Sequence, residues 1–175
     1  HASARAFITK VHGICKAIRD LPVPAIARID GYCLGAGLEV AAACDMRAAS
    51  LRSTFGMPEV KVGIPSVVEA ALLPRLIGWG RTAELLMTAE NIDARTAGEW
   101  GFVERVVAPD KLDAAVEGWV HSILDNGAKA VRLQKALMRR WERLALDEAV
   151  AAGIDAFAQS MDSDEPAELL GKFVK

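Results

Sequence analysis

The sequence predicts an α/β protein whose first third mixes short strands with helices and whose C-terminal half is nearly all helix. Three observations predict this class. A short apolar run at 25–29 is closed by Asp30-Gly31, as expected for a buried strand that ends in a turn. A glycine cluster at 31–37 then leads directly into a small, apolar run suited to a helix. From about Glu69 onward, the apolar residues recur mainly with helical spacing.

The first segment, residues 3–20, is predicted to be a helix because its apolar residues form one stripe with a period of 3.6. Asp20 and the prolines that follow it end this helix, because the residue before a proline disfavours helical backbone. After the glycine cluster, a short strand is predicted at 45–50. Residues 54–59 are predicted to form a loop.

The second half of the sequence predicts a succession of helices. Asp93 is predicted to cap a short helix that ends at Gly101. A brief strand is predicted at 102–107, and Asp110 is predicted to cap the amphipathic helix that follows it. The remaining predicted helices lie near 127–143, 146–160 and 165–175.

Composition places the chain among ordinary globular proteins. Its 175 residues suit one domain, or one domain with a small appendage, and 52% of them are hydrophobic. With 21 basic and 23 acidic residues, the charge is too balanced for a protein that binds nucleic acid or a membrane surface. No apolar run is long enough to cross a bilayer. We therefore expect neither nucleic acid nor membrane as a partner.

The cysteines and histidines predict neither a disulfide framework nor a metal site. The three cysteines, an odd number, form no close pair, which is typical of free thiols in a reducing compartment. A cytoplasmic location is expected on this basis. The three histidines are scattered, with no spacing that suits a metal, and Ser66 has no G-x-S-x-G context for a nucleophile.

Two glutamates are candidate functional residues. Glu39 follows the glycine cluster in a run that otherwise contains Leu, Val and Ala, where a carboxylate must be paired, protonated or functional. Its ordinary interpretation is a first-turn glutamate that the helix dipole favours. Glu59 follows Gly56-Met57-Pro58 in a rigid loop, which is a common mount for functional side chains. The spacing of 20 residues does not by itself bring the two carboxylates together.

Several ordered motifs resemble the signature of the crotonase (enoyl-CoA hydratase/isomerase) family. The main one is PAIARIDGYCLGAGLE at 24–39, which continues to Cys44-Asp45. The other matching stretches are FGMPEV at 55–60, GIP at 63–65, IDA at 92–94 with Ala97, GFV at 101–103 and VV at 106–107. The resemblance covers nearly all of the chain.

The resemblance implies a role for each site residue. Ala36 matches the position whose backbone N–H forms half of the oxyanion hole, and Gly35 joins it in substrate binding. Glu39 matches the glutamate that holds and activates the attacking water. Glu59 matches the glutamate that exchanges a proton at the carbon next to the thioester. No metal and no separate cofactor are implied, because coenzyme A is part of the substrate.

The resemblance also implies an architecture. Residues 1–108 are expected to form the C-terminal part of a spiral core of repeated ββα units, and 109–175 a helical region through which the chain forms homotrimers, or hexamers made of two trimers. The family's Ala-x-Gly-Ala-Asp-like motif, which carries the other oxyanion N–H, does not occur in this sequence. An N-terminal part of the protein is therefore expected to be missing. The family's short basic tail beyond the C-terminal helices does not occur either.

The largest departure from the family pattern follows the Ile-Pro at 64–65. A glycine-rich stretch is replaced there by Ser66 and a run of larger residues to Ala71, which are expected to reshape the acyl pocket. Glu69, within this run, is interpreted as a carboxylate at a helix start. An extra polar group in the acyl pocket is the alternative interpretation.

The leading functional prediction is hydration of 2-enoyl-CoA thioesters to 3-hydroxyacyl-CoA, because both glutamates are present. One alternative is another reaction of the family through the same enolate, namely that of an enoyl-CoA isomerase or a lyase. Isomerase-type members often keep only the second glutamate, so Glu39 argues against that alternative. A non-catalytic binding protein on the same fold, including one that binds RNA, is the alternative from another class.

Overall fold

The computed structural model describes residues 1–173, so the last two residues of the predicted C-terminal helix lie outside the described residues. The chain forms two compact units. One comprises residues 1–21 and 25–117, and the other comprises 22–24 together with the residues from Gly118 onward. The predicted domain boundary at 108/109 stays a prediction.

The first unit alternates strands and helices after a long N-terminal helix. Its strands are β1 (Ile26–Ile29), β2 (Tyr32–Leu34), β3 (Met46–Ser50), β4 (Thr54–Gly56), β5 (Ile92–Asp93) and β6 (Arg105–Val107). Its helices are α1 (Ala2–Asp20), α2 (Ala36–Ala43), α3 (Leu73–Ile77), α4 (Trp79–Thr88) and α5 (Ala94–Glu99). Short 3-10 helices occupy Glu59–Val62, Val68–Leu72 and Pro109–Lys111.

The strands form two three-stranded sheets in which successive ββα units stack. β1 pairs with β3 in parallel and β3 with β6, so the order of the first sheet is β1-β3-β6. β2 pairs with β4 in parallel, and β5 joins β4 antiparallel in the second sheet. The units that begin with β1 and β3 each place their first strand in one sheet and their second strand in the other, and then continue into helix. The last two strands reverse this order, with β5 in the second sheet and β6 in the first. The predicted α/β spiral of ββα units is confirmed.

Two strands lie where no strand was predicted. Tyr32–Leu34 lies within the glycine cluster, and Thr54–Gly56 lies in the stretch predicted to be a loop. Each has three residues, which is too short to show the alternation of a strand. Both are stabilised by their pairing with one another, and that partner is distant in sequence.

The predicted helix caps have different outcomes. The Asp93 carboxylate accepts a hydrogen bond from the Thr96 N–H at 2.8 Å, so its role as the cap of α5 is confirmed. The prediction for Asp110 was wrong. Asp110 lies within the 3-10 helix Pro109–Lys111, because the proline starts a helical turn before α6 (Leu112–Leu124) begins.

A buried arginine ties the core of the first unit together. Arg47, on β3, has only 3% of its surface exposed. Its guanidinium donates to the carbonyl oxygens of Phe102 (2.5 Å) and Cys44 (3.0 Å) and pairs with the Glu104 carboxylate. It also lies over the Phe102 ring, and that ring packs edge-to-face on Phe55. Arg47 thus joins the end of α2 to the segment that precedes β6.

The second unit is helical. Its helices are the later part of α6, α7 (Ala128–Trp141), α8 (Leu146–Ser160) and α9 (Glu165–Phe173). The Glu165 carboxylate accepts hydrogen bonds from the N–H groups of Lys129 (3.0 Å) and Ala130 (2.9 Å), so it satisfies the first turn of α7. Trp141 Nε1 donates to the Ala149 carbonyl at 2.9 Å and so joins α7 to α8. Across residues 1–173, no helix is both long and apolar enough to span a membrane.

Replacing Arg47 with Met is expected to lower the free energy of unfolding by about 2–4 kcal/mol, because buried carbonyl acceptors lose their donor. The matched control is Lys16→Met, which removes an exposed pair with Asp20 and is expected to cost less than about 1 kcal/mol. Urea unfolding of the full-length protein, followed by circular dichroism, measures both values. Equal losses in the two variants would contradict the role of Arg47.

Candidate active site

The pairing of β2 with β4 brings the two candidate glutamates together. In this parallel pair Leu34 lies opposite Gly56, and the Gly35 N–H donates to the Gly56 carbonyl at 2.9 Å. The chain segments that leave the two strands therefore start side by side. Glu39 lies in the first turn of α2, directly after β2, and Glu59 begins the 3-10 helix after β4. Two residues 20 positions apart thus share one site.

Glu39 is a buried carboxyl group with one hydrogen bond. The residue is 4% exposed, and its Oε1 accepts from the Ala70 N–H at 3.2 Å. Burial raises the pKa of Glu39 from 4.5 to about 7, since water no longer solvates the charged form. The Ala70 hydrogen bond lowers this pKa, and the charges of Glu59 and Glu69 raise it. The result is a carboxyl group that exchanges its proton near neutral pH.

Glu59 is partly buried and held from two sides. Its Oε2 accepts a hydrogen bond from the Ser66 hydroxyl at 2.9 Å. Its Oε1 lies against Gly35, since a Cβ added at Gly35 would come within 2.5 Å of that oxygen. Gly35 also has a φ of +53°, which favours glycine. Gly35 is therefore required both for the turn into α2 and for the place of the Glu59 carboxylate.

Ala36 is the first residue of α2, with Gly35 as the N-cap. The N–H groups of Leu38 and Glu39 donate to the Gly35 carbonyl, at 2.9 and 3.1 Å. The Ala36 N–H has no hydrogen-bond partner among residues 1–173, and Ala36 is exposed. An N–H without a partner at a helix N-terminus can donate to an oxygen that carries negative charge. The oxyanion role of Ala36 and the substrate-binding role of Gly35 stay predictions.

A cavity of about 550 Å³ is lined by two residues that hydrogen-bond to the glutamates. Its wall includes Ser66, whose hydroxyl binds Glu59, and Ala70, whose N–H binds Glu39. Val67, Val68 and Trp79, the first residue of α4, also line the cavity. The segment that departs from the family pattern thus forms part of this wall.

Sequence reasoning missed three polar contacts near Glu39 and Glu59. Ser66 was considered only as a nucleophile or as bulk in the acyl pocket, yet it binds Glu59. Glu69 lies in the first turn of a 3-10 helix, as interpreted, but it is 7% exposed and its Oε1 lies 2.8 Å from His12 Nδ1. Cys15, one turn along α1 from His12, is buried, and its thiol is hydrogen-bonded to Glu69. The spacing of three residues, which places His12 and Cys15 on one helix face, is the one clue that the sequence held.

The site contains acid–base groups and no candidate metal cluster. In the part of the chain that the structure describes, no group of three or more His, Cys, Asp or Glu residues could hold a metal ion. The expectation that the protein needs no metal and no cofactor stays a prediction.

The raised pKa of Glu39 links stability to pH. Between pH 4.5 and about 7 the folded protein keeps a proton that the unfolded chain has lost, so this contribution to stability is complete at low pH and lost as the pH rises. Relative to Glu39→Gln, the wild-type free energy of unfolding is expected to fall by about 2–3 kcal/mol between pH 5 and pH 8. Urea unfolding at both pH values tests this, and parallel pH dependences would contradict it.

Comparison with known proteins identifies relatives over the whole chain. Residues 2–175 match the family described as enoyl-CoA hydratase/isomerase. The chain is 35% identical over 163 residues to the short-chain-enoyl-CoA hydratase of Clostridium acetobutylicum, covering 93% of this chain and 62% of that protein. It is 35% identical over 173 residues to the crotonyl-CoA hydratase of Syntrophomonas wolfei, covering 98% and 66%. The chain thus spans just under two thirds of the length of either relative.

A solved structure shows the same fold. The enoyl-CoA hydratase from Bacillus anthracis superimposes with a TM-score of 0.95 at 31% identity, covering 99% of this chain and 67% of that one. The chain therefore belongs to the enoyl-CoA hydratase/isomerase family, also called the crotonase family.

Proposed function

We propose that the protein hydrates 2-enoyl-CoA thioesters to 3-hydroxyacyl-CoA. The observation that carries this proposal is the pair of carboxyl groups beside the start of α2, with Glu39 buried at a pKa of about 7 and Glu59 held by Ser66. A carboxylate with a pKa near the working pH is suited to general base catalysis. The names of the two bacterial relatives, a short-chain-enoyl-CoA hydratase and a crotonyl-CoA hydratase, support the same reaction.

The two glutamates divide the addition of water between them. Ionised Glu39 accepts a hydrogen bond from the water and takes its proton as the oxygen bonds to the β-carbon. The electrons of the double bond move toward the thioester, and an enolate forms. Glu59 in its protonated form donates a proton to the α-carbon, which completes the addition. Glu39 then releases its proton and Glu59 takes one up, so both groups return to their starting states. In sum, the hydroxyl of the water bonds to the β-carbon and one proton bonds to the α-carbon.

The N-terminus of α2 stabilises the enolate. Negative charge develops on the thioester oxygen, and the Ala36 N–H, which lacks a partner among the described residues, donates to it. The helix dipole favours the same charge at this end of α2. Because the donor is part of the backbone, it needs no reorganisation when the charge appears.

The cavity beside Ser66 and Ala70 accommodates the acyl group. Val67 and Val68 bring side chains to a wall where the family pattern has glycines, so the space suits a short chain better than a long one. The names of both bacterial relatives agree with a short acyl group. Coenzyme A is the rest of the substrate, and the proposed steps need no further cofactor.

The second unit supports a proposal about assembly. Four large apolar side chains on α8 recur every three or four residues and are 57–79% exposed; they are Leu146, Val150, Ile154 and Phe157. An apolar stripe of this kind is typical of a helix that packs against another protein surface. We propose that the partner is a further copy of the chain, in a homotrimer or a hexamer of two trimers.

The full-length protein is expected to remove the ultraviolet absorbance of the conjugated thioester in crotonyl-CoA, and to act more slowly on a longer 2-enoyl-CoA. Glu39→Gln and Glu59→Gln are each expected to reduce kcat by at least about 10²-fold, because each removes one proton-transfer group. Glu84→Gln, on the exposed face of α4, is the control and is expected to keep wild-type turnover.

Near-wild-type turnover in either site variant would contradict the role of that glutamate. If the folded wild-type protein hydrates neither substrate, the proposal fails. The isomerase or lyase alternative then predicts conversion of another acyl-CoA, whereas a non-catalytic protein predicts thioester or RNA binding without turnover.

Ala36→Pro is expected to reduce kcat by about 10²–10³-fold, because it removes the N–H that stabilises the enolate. Proline is tolerated at the first position of a helix, so α2 is expected to remain folded. Ala36→Ser keeps the N–H and is expected to retain most of the turnover. Equal turnover in the two variants would mean that the Ala36 N–H does not stabilise the enolate.

A further inference from the structure

A third carboxyl group, that of Glu69, lies near Glu39 and takes no part in the proposed proton transfers. Glu69 is 7% exposed, and its Oε1 lies 2.8 Å from His12 Nδ1 on α1. Its Oε2 is also buried, and no N–H or hydroxyl group among the described residues donates to it; the Cys15 thiol on α1 is hydrogen-bonded to the Glu69 carboxyl group. A buried carboxyl group with so few donors is unfavourable, so a functional explanation is warranted. The charge of Glu69 is one of the causes that raise the pKa of Glu39.

The turn that carries Glu69 is strained. Val68, directly before it, has a φ of +42°, which is rare for a β-branched residue and costs on the order of 1–3 kcal/mol. Such a conformation persists only where surrounding contacts enforce it. Two contacts do so here. His12, on α1, binds Glu69. Glu39, on α2, accepts a hydrogen bond from the Ala70 N–H of the turn.

We propose that Glu69, held by His12, is a positioning residue for Glu39. The His12–Glu69 pair anchors the strained turn so that the Ala70 N–H binds Glu39 Oε1. The pair also places the Glu69 carboxyl group near that of Glu39. This inference rests on the proposed function, in which Glu39 is the base. Glu69 does not line the cavity beside Ser66, so it acts through Glu39 and not on the acyl group.

His12, which anchors the turn, lies at the protein surface. The His12 side chain is 50% exposed, whereas Glu69 is buried, so the ring closes the outer side of the turn. The helix α1, the 3-10 helix Val68–Leu72 and α2 are all in contact with one another. Because His12 is not part of the buried apolar core, removing the ring is expected to free the turn and to leave that core intact.

Two neighbouring carboxyl groups raise the pKa of Glu39 by their charge. Glu59 faces it from the segment after β4, and Glu69 faces it from the turn. Cys15 and His12 lie on α1, and burial with the charges of Glu69 and Glu39 raises the pKa of the Cys15 thiol to about 12, so that thiol stays neutral. No cation is among the causes of the Glu39 shift. Removing the charge of Glu69 therefore lowers the pKa of Glu39.

The decisive measurement is the titration of Glu39 in the full-length protein by ¹³C NMR of glutamate carboxyl groups, with Glu39→Gln used for assignment. In Glu69→Gln, which keeps an acceptor for His12, the pKa of Glu39 is expected to fall by at least about half a unit. The acid limb of kcat/KM for crotonyl-CoA is expected to move in the same direction. Glu84→Gln is the control and is expected to shift neither quantity.

The anchor has its own test. His12→Ala is expected to lower kcat about tenfold while KM for crotonyl-CoA changes less than about twofold, since it removes a hydrogen bond to a charged group. His12→Gln, which keeps a donor, is expected to restore most of kcat. Because His12 is half exposed, these variants carry the test even if Glu69→Gln does not fold.

The outcomes separate this inference from the proposed function. An unchanged Glu39 titration in a folded Glu69→Gln, or a wild-type kcat in His12→Ala, would overturn the positioning role. A shifted titration in a protein that does not hydrate crotonyl-CoA would support the positioning role and overturn the hydratase proposal.

Discussion

The parallel pairing of β2 with β4 is the constraint on which the rest of the site depends. Both strands have only three residues, and Leu34 lies opposite Gly56 at the ends of the pair. The Gly35 N–H continues this ladder to the Gly56 carbonyl. Because the strands run in the same direction, the helix that follows one and the turn that follows the other leave from the same edge. A shift of one residue in this register would separate the Glu59 carboxylate from the start of α2.

The pKa of Glu39 depends on two opposing effects. Loss of water favours the neutral acid, whereas the Ala70 N–H favours the carboxylate. A fully satisfied carboxylate would be a weak base at neutral pH, and a carboxyl group with no hydrogen bond would rarely ionise. With one backbone donor, the pKa of Glu39 lies at about 7. The burial of a group that ionises near pH 7 costs stability, which is typical of functional sites.

Much of the fold could be predicted from the sequence where its pattern is long. The helix at 2–20 and the cap at Asp93 follow from periodicity and from a side chain close in sequence. The strands at 32–34 and 54–56 could not be predicted, because three residues carry no period and their stabilising partners lie about 20 residues away. The cap predicted at Asp110 was wrong because the adjacent proline begins a 3-10 turn, which the sequence pattern did not show.

The sequence by itself determined which residue types are available and where α2 begins. Glycines before a small apolar run require a tight turn into a buried helix, and a glutamate in that run requires a special environment. Only the tertiary structure decided the neighbours of that glutamate. Ala70 donates to Glu39 from a turn about 30 residues further along the chain, and Glu69 in that turn is held by His12 on α1; hydrogen bonds and charge interactions depend on distance in space. The pattern along a chain does not contain those distances until the strands have paired.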